Sequence, residues 1–194
     1  MTQPERSPER DAALDALLGV SPFPGWNLSA LTSAAGPDAD LLFPGGALDM
    51  VEAHSDLADR RMEAGAAALD LAAMRVPQRV RAVLELRFAQ SRPHKEAVRR
   101  ALGVLSLPAN AGLAAGCTAR TVDAAWHAAG DVSADFSWYT KRAILAGVYG
   151  ATLLYWLRDD SFDDVDTLAF LDRRLAGVGR IGRVRRRVDA FLRN

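Results

Sequence analysis

The sequence predicts an all-α fold. Alanine, leucine and arginine dominate, apolar residues recur at spacings of three and four, and no run of alternating β-branched residues appears. At 194 residues the chain is long enough to bury one main core, with or without a small N-terminal module.

Taken in order, the segments read as about nine helices. The first ten residues, MTQPERSPER, are polar and charged and are expected to be disordered. A short helix covers Asp11 to Leu18 and stops at the Gly19 to Pro24 punctuation, because Ser21-Pro22-Phe23-Pro24 cannot continue it. Asn27 or Ser29 caps a second helix ending near Gly36, and a short turn from Asp38 to Phe43 meets Pro44-Gly45-Gly46. Ala47 to Met74 reads as one long helix. Pro77 suits the first turn of a helix running to Gln90, and Pro93 opens another that ends near Leu105. Leu107-Pro108-Ala109-Asn110 resets the chain for a helix reaching Gly130. After a polar turn, Ser133 or Asp135 caps a helix through Leu157, and Ser161, with Asp164 three residues on, starts the last segment.

Composition excludes several classes of chemistry. The lone Cys117 cannot form an internal disulfide and the N-terminus lacks an apolar signal stretch, so a reducing cytoplasm is the expected compartment. The uncharged run Ala143 to Leu157 covers fifteen residues, short of the ~20 needed to span a bilayer as helix. His54, His94 and His127 fall in no Glu-x-x-His pair, so no metal site is expected. No Gly-x-Gly-x-x-Gly, Walker-type loop or Gly-x-Ser-x-Gly elbow occurs, and no catalytic residue is expected. Asp123 and His127, four apart on one helix, form at most a structural pair.

The three short segments before the long helix, with Trp26, Leu31 to Ala35 and Phe43, resemble a helix-turn-helix module of the TetR kind. Between Asp11 and Asp59 stand eight carboxylates and no Lys or Arg. DNA affinity rests on cations that neutralise phosphate, and the recognition turn offers Asp38 and Asp40 instead. The module is therefore read as a degenerate one that binds no nucleic acid.

The block TVDAAWHAAGDVSADFSWYTKRAILAGVYGATLLYW, Thr121 to Trp156, resembles the signature region of the TetR-like accessory family of ubiquinone (coenzyme Q) biosynthesis. The resemblance rests on Trp-His-x-Ala-Gly-Asp, Asp-Phe-x-Trp-Tyr-Thr and Arg142, and it extends to Leu107, Pro108 and Asn110 on one side and DDVDTLAFLDRR on the other. It implies an all-α, TetR-like fold in which an antiparallel helical ligand-binding body follows the N-terminal module. It also implies a protein that is not itself an enzyme, that binds isoprenoid quinone or phospholipid, and that supports the di-iron hydroxylase of demethoxyubiquinone. By the same resemblance Arg142 meets a lipid headgroup, while Asp135, Trp138 and Tyr139 dock the hydroxylase. By the same resemblance Gly147, Gly150 and Leu154 are expected beside the lipid, the glycines leaving room for a chain; by sequence alone the same small residues read as those of a tightly packed core helix.

From Arg173 onward there are eight arginines against Asp189 alone. Apolar residues recur there mostly every three or four, so the segment reads as a membrane-surface helix. Its membrane-contacting residues are Ile181, Val184, Arg186, Arg187 and Phe191. The expected organisation is a disordered stretch 1–10, a helix-turn-helix-like module 11–60, a helical lipid-binding domain 61–175 and a basic amphipathic segment 176–194. A peripheral membrane protein and, by analogy with TetR-like bodies, a homodimer are expected. The alternative is a TetR-like transcription regulator that senses an apolar ligand.

Overall fold

The computed structural model describes residues 3–131 and 137–177. Among them the secondary structure is entirely helical: α1 (Pro8–Leu18), α2 (Leu28–Ala35), α3 (Ala47–Ala66), α4 (Val76–Ser91), α5 (Lys95–Leu105), α6 (Ala111–Ala128), α7 (Ser137–Trp156) and α8 (residues 165–177). Short 3-10 turns at Ala39–Leu42, Arg92–His94, Pro108–Asn110 and Phe162–Asp164 join them. No single helix among the described residues is long and apolar enough to cross a membrane.

Local chemistry accounts for most of the boundaries. Asn27 caps α2 by accepting from the Ala30 N–H at 2.8 Å. The last helix is set by Asp159 together with Ser161, whose hydroxyl accepts from the Asp166 N–H at 3.2 Å. The Asp159 carboxylate accepts from the backbone N–H of Ser161 and of Thr167, both at 2.8 Å, and from the Thr167 hydroxyl. Burial alone would raise this carboxyl, but those hydrogen bonds outweigh it and hold its pKa at about 2. Just beyond, Asp163 and Asp164 take left-handed backbone (φ 54° and 56°), and the Arg92 guanidinium holds both carboxylates.

Two boundaries depart from the sequence reading. Helix α3 ends at Ala66, not Met74, with the backbone N–H groups of Ala68 and Leu69 tightening into bonds three residues back. The chain turns there because α4 packs hard against α3: a Cβ on Gly65 would lie 2.8 Å from Gln90 Nε2 and 3.0 Å from Leu86 Cδ2. The stretch 3–10 is also not a loose tail. Helix α1 already starts at Pro8, with the Ser7 hydroxyl capping it, and Arg6 and Arg10 are both bound to the body.

Two hydrophobic cores are present and α3 serves both. Leu14, Leu17, Leu31 and Phe43 pack on the first half of α3 at Met50, Val51 and Leu57. Leu84, Phe88, Tyr149, Trp156 and Leu171 gather with Met62 and Ala66 on its second half. The division expected at residue 60 therefore falls inside a continuous helix. Trp26 fastens the N-terminal module further by donating from Nε1 to the Ala97 carbonyl at 2.9 Å.

The acidic window is charge-balanced. Arg60 grips Asp11 bidentately at 2.7 and 2.9 Å and reaches Asp56, which Arg6 also holds. Arg61 pairs with Asp15, Arg120 with Glu52, and Arg87 with Asp59. Arg10, 3% exposed, joins Asp49, the Leu42 carbonyl and the Phe43 ring face. These cations flank the window or come from distant helices, so a count along the sequence misses them. Asp38 and Asp40 have no ion pair among the described residues.

His54 is enclosed between the two cores with its ring 5.0 Å from that of Trp26. Burial first, and the Arg87 charge second, hold its imidazole down to about 3, against 6.5 when unfolded. The unfolded chain takes up this proton as pH falls below 6.5 while the native protein does not, so acid removes stability at this site.

Three substitutions test these contacts. Replacing Arg10 with Met lowers stability in urea unfolding by about 3 kcal/mol, since a buried ion pair loses one partner. Arg6→Ala, at a half-exposed pair, changes it by less than about 1 kcal/mol. Relative to the parent, His54→Phe gains about 1.4 kcal/mol per pH unit between about pH 6 and pH 4. A constant difference across that range would show that His54 titrates alike in both states.

A candidate ligand cavity and the surface beside it

Where the two cores meet, the helices leave a cavity of about 300 Å³. Helix α3 contributes Val51, His54 and Ser55, α4 contributes Arg87, and α5 contributes Val98, Ala101, Leu102 and Leu105. The opposite wall is Ala114, Cys117, Thr118 and Thr121 of α6 with Tyr149, Leu153 and Leu154 of α7. The cavity runs from a buried end to an open one. His54, Arg87, Thr121 and Tyr149 are all buried, whereas Ser106 is exposed and Leu154 is 62% exposed at the rim.

Polarity follows the same axis. The wall is apolar towards Leu105 and Leu154, and the hydrogen-bonding groups collect at the buried end. There the Thr121 hydroxyl donates to Asp59 Oδ2 at 3.0 Å, and Arg87 Nη1 donates to Ser91 Oγ at 2.8 Å. Arg87 Nε lies 3.4 Å from Asp59 Oδ1, close enough to balance charge, yet neither atom has a hydrogen-bond partner. Burial pushes Asp59 up to about 6, with the Arg87 charge and the Thr121 hydroxyl opposing it. Burial likewise raises the Tyr149 hydroxyl and the Cys117 thiol, so the latter is a poor nucleophile. These groups can donate and accept hydrogen bonds to an uncharged guest; their protonation does not mark a catalytic pair.

A second hollow lies on the outside of α6 and α7, lined by Ala115, Ala119, Val122, Trp138, Tyr139 and Arg142. The Arg142 guanidinium stacks on Trp138, 3.9 Å from the ring centroid, and donates from Nε to Asp123 at 2.6 Å. Asp131 is a further 3.6 Å partner. Trp138 and Tyr139 form an edge-on pair, and Tyr139 is 69% exposed.

Of the four residues expected at the lipid, only Leu154 lines the cavity. Arg142 belongs to the outer hollow, where two carboxylates already engage it. Gly147 is exposed and Gly150 half-buried, with nothing within 4 Å of a Cβ built on either. The reason is helical phase: Leu145, Val148, Tyr149, Thr152 and Trp156 form the buried stripe of α7, Gly147 and Gly150 lie off it, and Leu154 reaches only the cavity's exposed rim. Trp138 and Tyr139 do share one surface, as expected of neighbours in a docking patch. Asp135, the third member, and Ile181, Val184, Arg186, Arg187 and Phe191 lie outside the described residues. Asp123 and His127 do not pair; Asp123 turns to Arg142, and His127 Nδ1 lies 3.1 Å from Glu63.

Sequence reasoning missed His54, Arg87, Thr121 and Tyr149. A signal was present. Val80, Val83, Leu84, Arg87 and Phe88 form one buried stripe of α4, Met50, Val51, His54 and Leu57 one of α3, and Cys117, Thr121, Val122 and Ala125 one of α6. Polar residues interrupt each stripe: Arg87 in α4, Thr121 in α6, and His54 in α3, where Asp56 and Asp59 are buried as well.

Comparison with known proteins bears on the same helices. The COQ9 family model matches residues 111–182, from α6 through α8 and beyond. The ubiquinone biosynthesis protein COQ9, mitochondrial, of Rattus norvegicus is 40% identical over 113 residues, covering 58% of this chain and 36% of the relative. Its Homo sapiens counterpart is 38% identical over 113 residues, with the same shares. This chain thus spans about a third of the length of the curated relatives it matches. A TetR transcriptional regulator from Nitrosomonas europaea superposes with a TM-score of 0.71 over 88% of this chain and 97% of its own, at 21% identity, a likeness of fold alone. Residues 111–182 thus match the COQ9 family model, the chain is similar over 113 residues to COQ9 ubiquinone biosynthesis proteins, and its described residues share the all-α fold of a TetR regulator.

Proposed function

We propose that this protein serves ubiquinone biosynthesis as an accessory factor without enzymatic activity of its own. It binds an isoprenoid quinone intermediate or a phospholipid and presents it, at the membrane surface, to the di-iron hydroxylase of demethoxyubiquinone. The cavity of about 300 Å³, apolar at its open end, carries this reading. The residues that match the COQ9 family model supply two of its walls, α6 and α7. Tyr139, exposed beside the Trp138–Arg142 stack, is the kind of aromatic anchor that a docking partner takes up.

The regulator neighbour favours a second reading, a ligand-sensing DNA binder. Against it, the recognition element is one 3-10 turn of four residues, Ala39–Leu42, with Asp40 in it and Asp38 before it. Such a turn has too little length and the wrong charge to read a groove.

Native mass spectrometry of the full chain, after incubation with a short-chain ubiquinone and separately with a phospholipid, tests the proposal. A lipid adduct is expected, and it is lost both in Ala114→Trp and in Ser55→Trp, the second of which reaches the cavity but not the outer hollow that Ala114 also lines. Gly147→Phe, pointing outward, retains it. No adduct with either lipid, or an adduct indifferent to Ser55→Trp, overturns lipid binding in this cavity.

A further inference from the structure

The cavity's buried end distinguishes between head groups. Its polar groups are charge-balanced before any guest arrives: Arg87 faces Asp59 at 3.4 Å, and no other cation lines the cavity. A phosphate driven to this depth would be desolvated and would bring charge that nothing there offsets. An uncharged ring bearing carbonyl or hydroxyl oxygens meets the opposite situation. Neither ring nitrogen of His54 has a hydrogen-bond partner among the described residues, and the imidazole offers one donor and one acceptor. Arg87 Nε and Asp59 Oδ1, both sealed from solvent, are likewise without hydrogen-bond partners. Buried polar groups left open in this way are rare in a finished core and mark a place where a guest or water completes the set.

The remaining wall fixes the direction of entry. Leu102, Leu105, Leu153 and Leu154 offer an apolar path from rim to interior, and Ser106 at the mouth is uncharged and already donates its hydroxyl to the Gly103 carbonyl. The volume, at the small end for a ligand pocket, holds a ring and the start of a tail, so a longer tail must leave past Leu105 and Leu154.

We propose that His54, Arg87 and Tyr149 form a subsite for the uncharged, oxygen-bearing ring of an isoprenoid quinone or hydroquinone, which enters head-first and leaves its tail at the rim. This rests on the lipid-binding reading above and selects the quinone over the phospholipid. It also moves head-group recognition from Arg142, on the outer hollow, to the seam between the cores.

The test titrates the purified full chain with a ubiquinone of two isoprene units and with phytane, a branched hydrocarbon with no head. Dioleoyl phosphatidic acid serves as competitor. In His54→Phe and Tyr149→Phe, each checked for native thermal unfolding, the quinone Kd rises tenfold or more while the phytane Kd stays within twofold. His54→Gln, which restores a donor and an acceptor, recovers most of the loss. Quinone binding also quenches Trp26, whose ring lies 5.0 Å from that of His54 at a 48° tilt, and the quench disappears in Trp26→Phe. Phosphatidic acid does not displace the quinone. If phytane binds but both variants leave the quinone Kd unchanged, or if phosphatidic acid competes for the buried end, the head-first subsite is wrong and the lipid-binding reading stands. If neither quinone nor phytane binds, both fall together.

Discussion

Helix α3 is packed from both ends of its length by different partners, and this shared use organises the molecule. Its first turns complete the core of the N-terminal module and its last turns complete the core of the body. Neither half could be cut away without exposing the face that the other leaves on α3. The arginines that bind α1 to α3 act on the same joint, since Arg6, Arg10, Arg60 and Arg61 all bridge elements distant in sequence. Their pairs replace, with fixed geometry, the repulsion that the carboxylates of the window would otherwise exert on one another.

Between the cores the packing changes character. His54 and Asp59 on α3, Arg87 on α4, Thr121 on α6 and Tyr149 on α7 meet at one level, and the cavity opens from that level outward. A seam of this kind is expensive in stability, because burying polar groups is favourable only when each finds a partner. Here the partners are incomplete.

The helices and their order were legible in the sequence because caps, prolines and apolar period act locally. Asn27, Pro77 and the Pro44-Gly45-Gly46 break each carry their instruction within a few residues. The end of α3 was not legible, because it depends on the approach of α4 at Gly65, a contact made only after the chain has turned. The charge balance was hidden for the same reason: Asp11 and Arg60 are 49 residues apart. The site divided similarly. The aromatic pair Trp138 and Tyr139 stands together in sequence and on the surface. The cavity takes residues from five helices, and choosing the small-residue stripe of α7 over its Tyr149 stripe missed the face that turns inward. Polar residues within apolar stripes were the usable sign, and they become telling only when several stripes show one.

The position of the cavity has a consequence for the lifetime of the protein. An occupant at the seam touches helices of both cores, so it adds to the cohesion of the whole rather than of one part. By mass action the loaded form gains stability with the logarithm of guest concentration, ~2.7 kcal/mol at a hundredfold excess over Kd. If a guest binds there, the empty form would be the one to part first along α3 and offer its chain to proteases. Abundance of the protein would then follow supply of its guest, a coupling that requires no regulator other than the cavity.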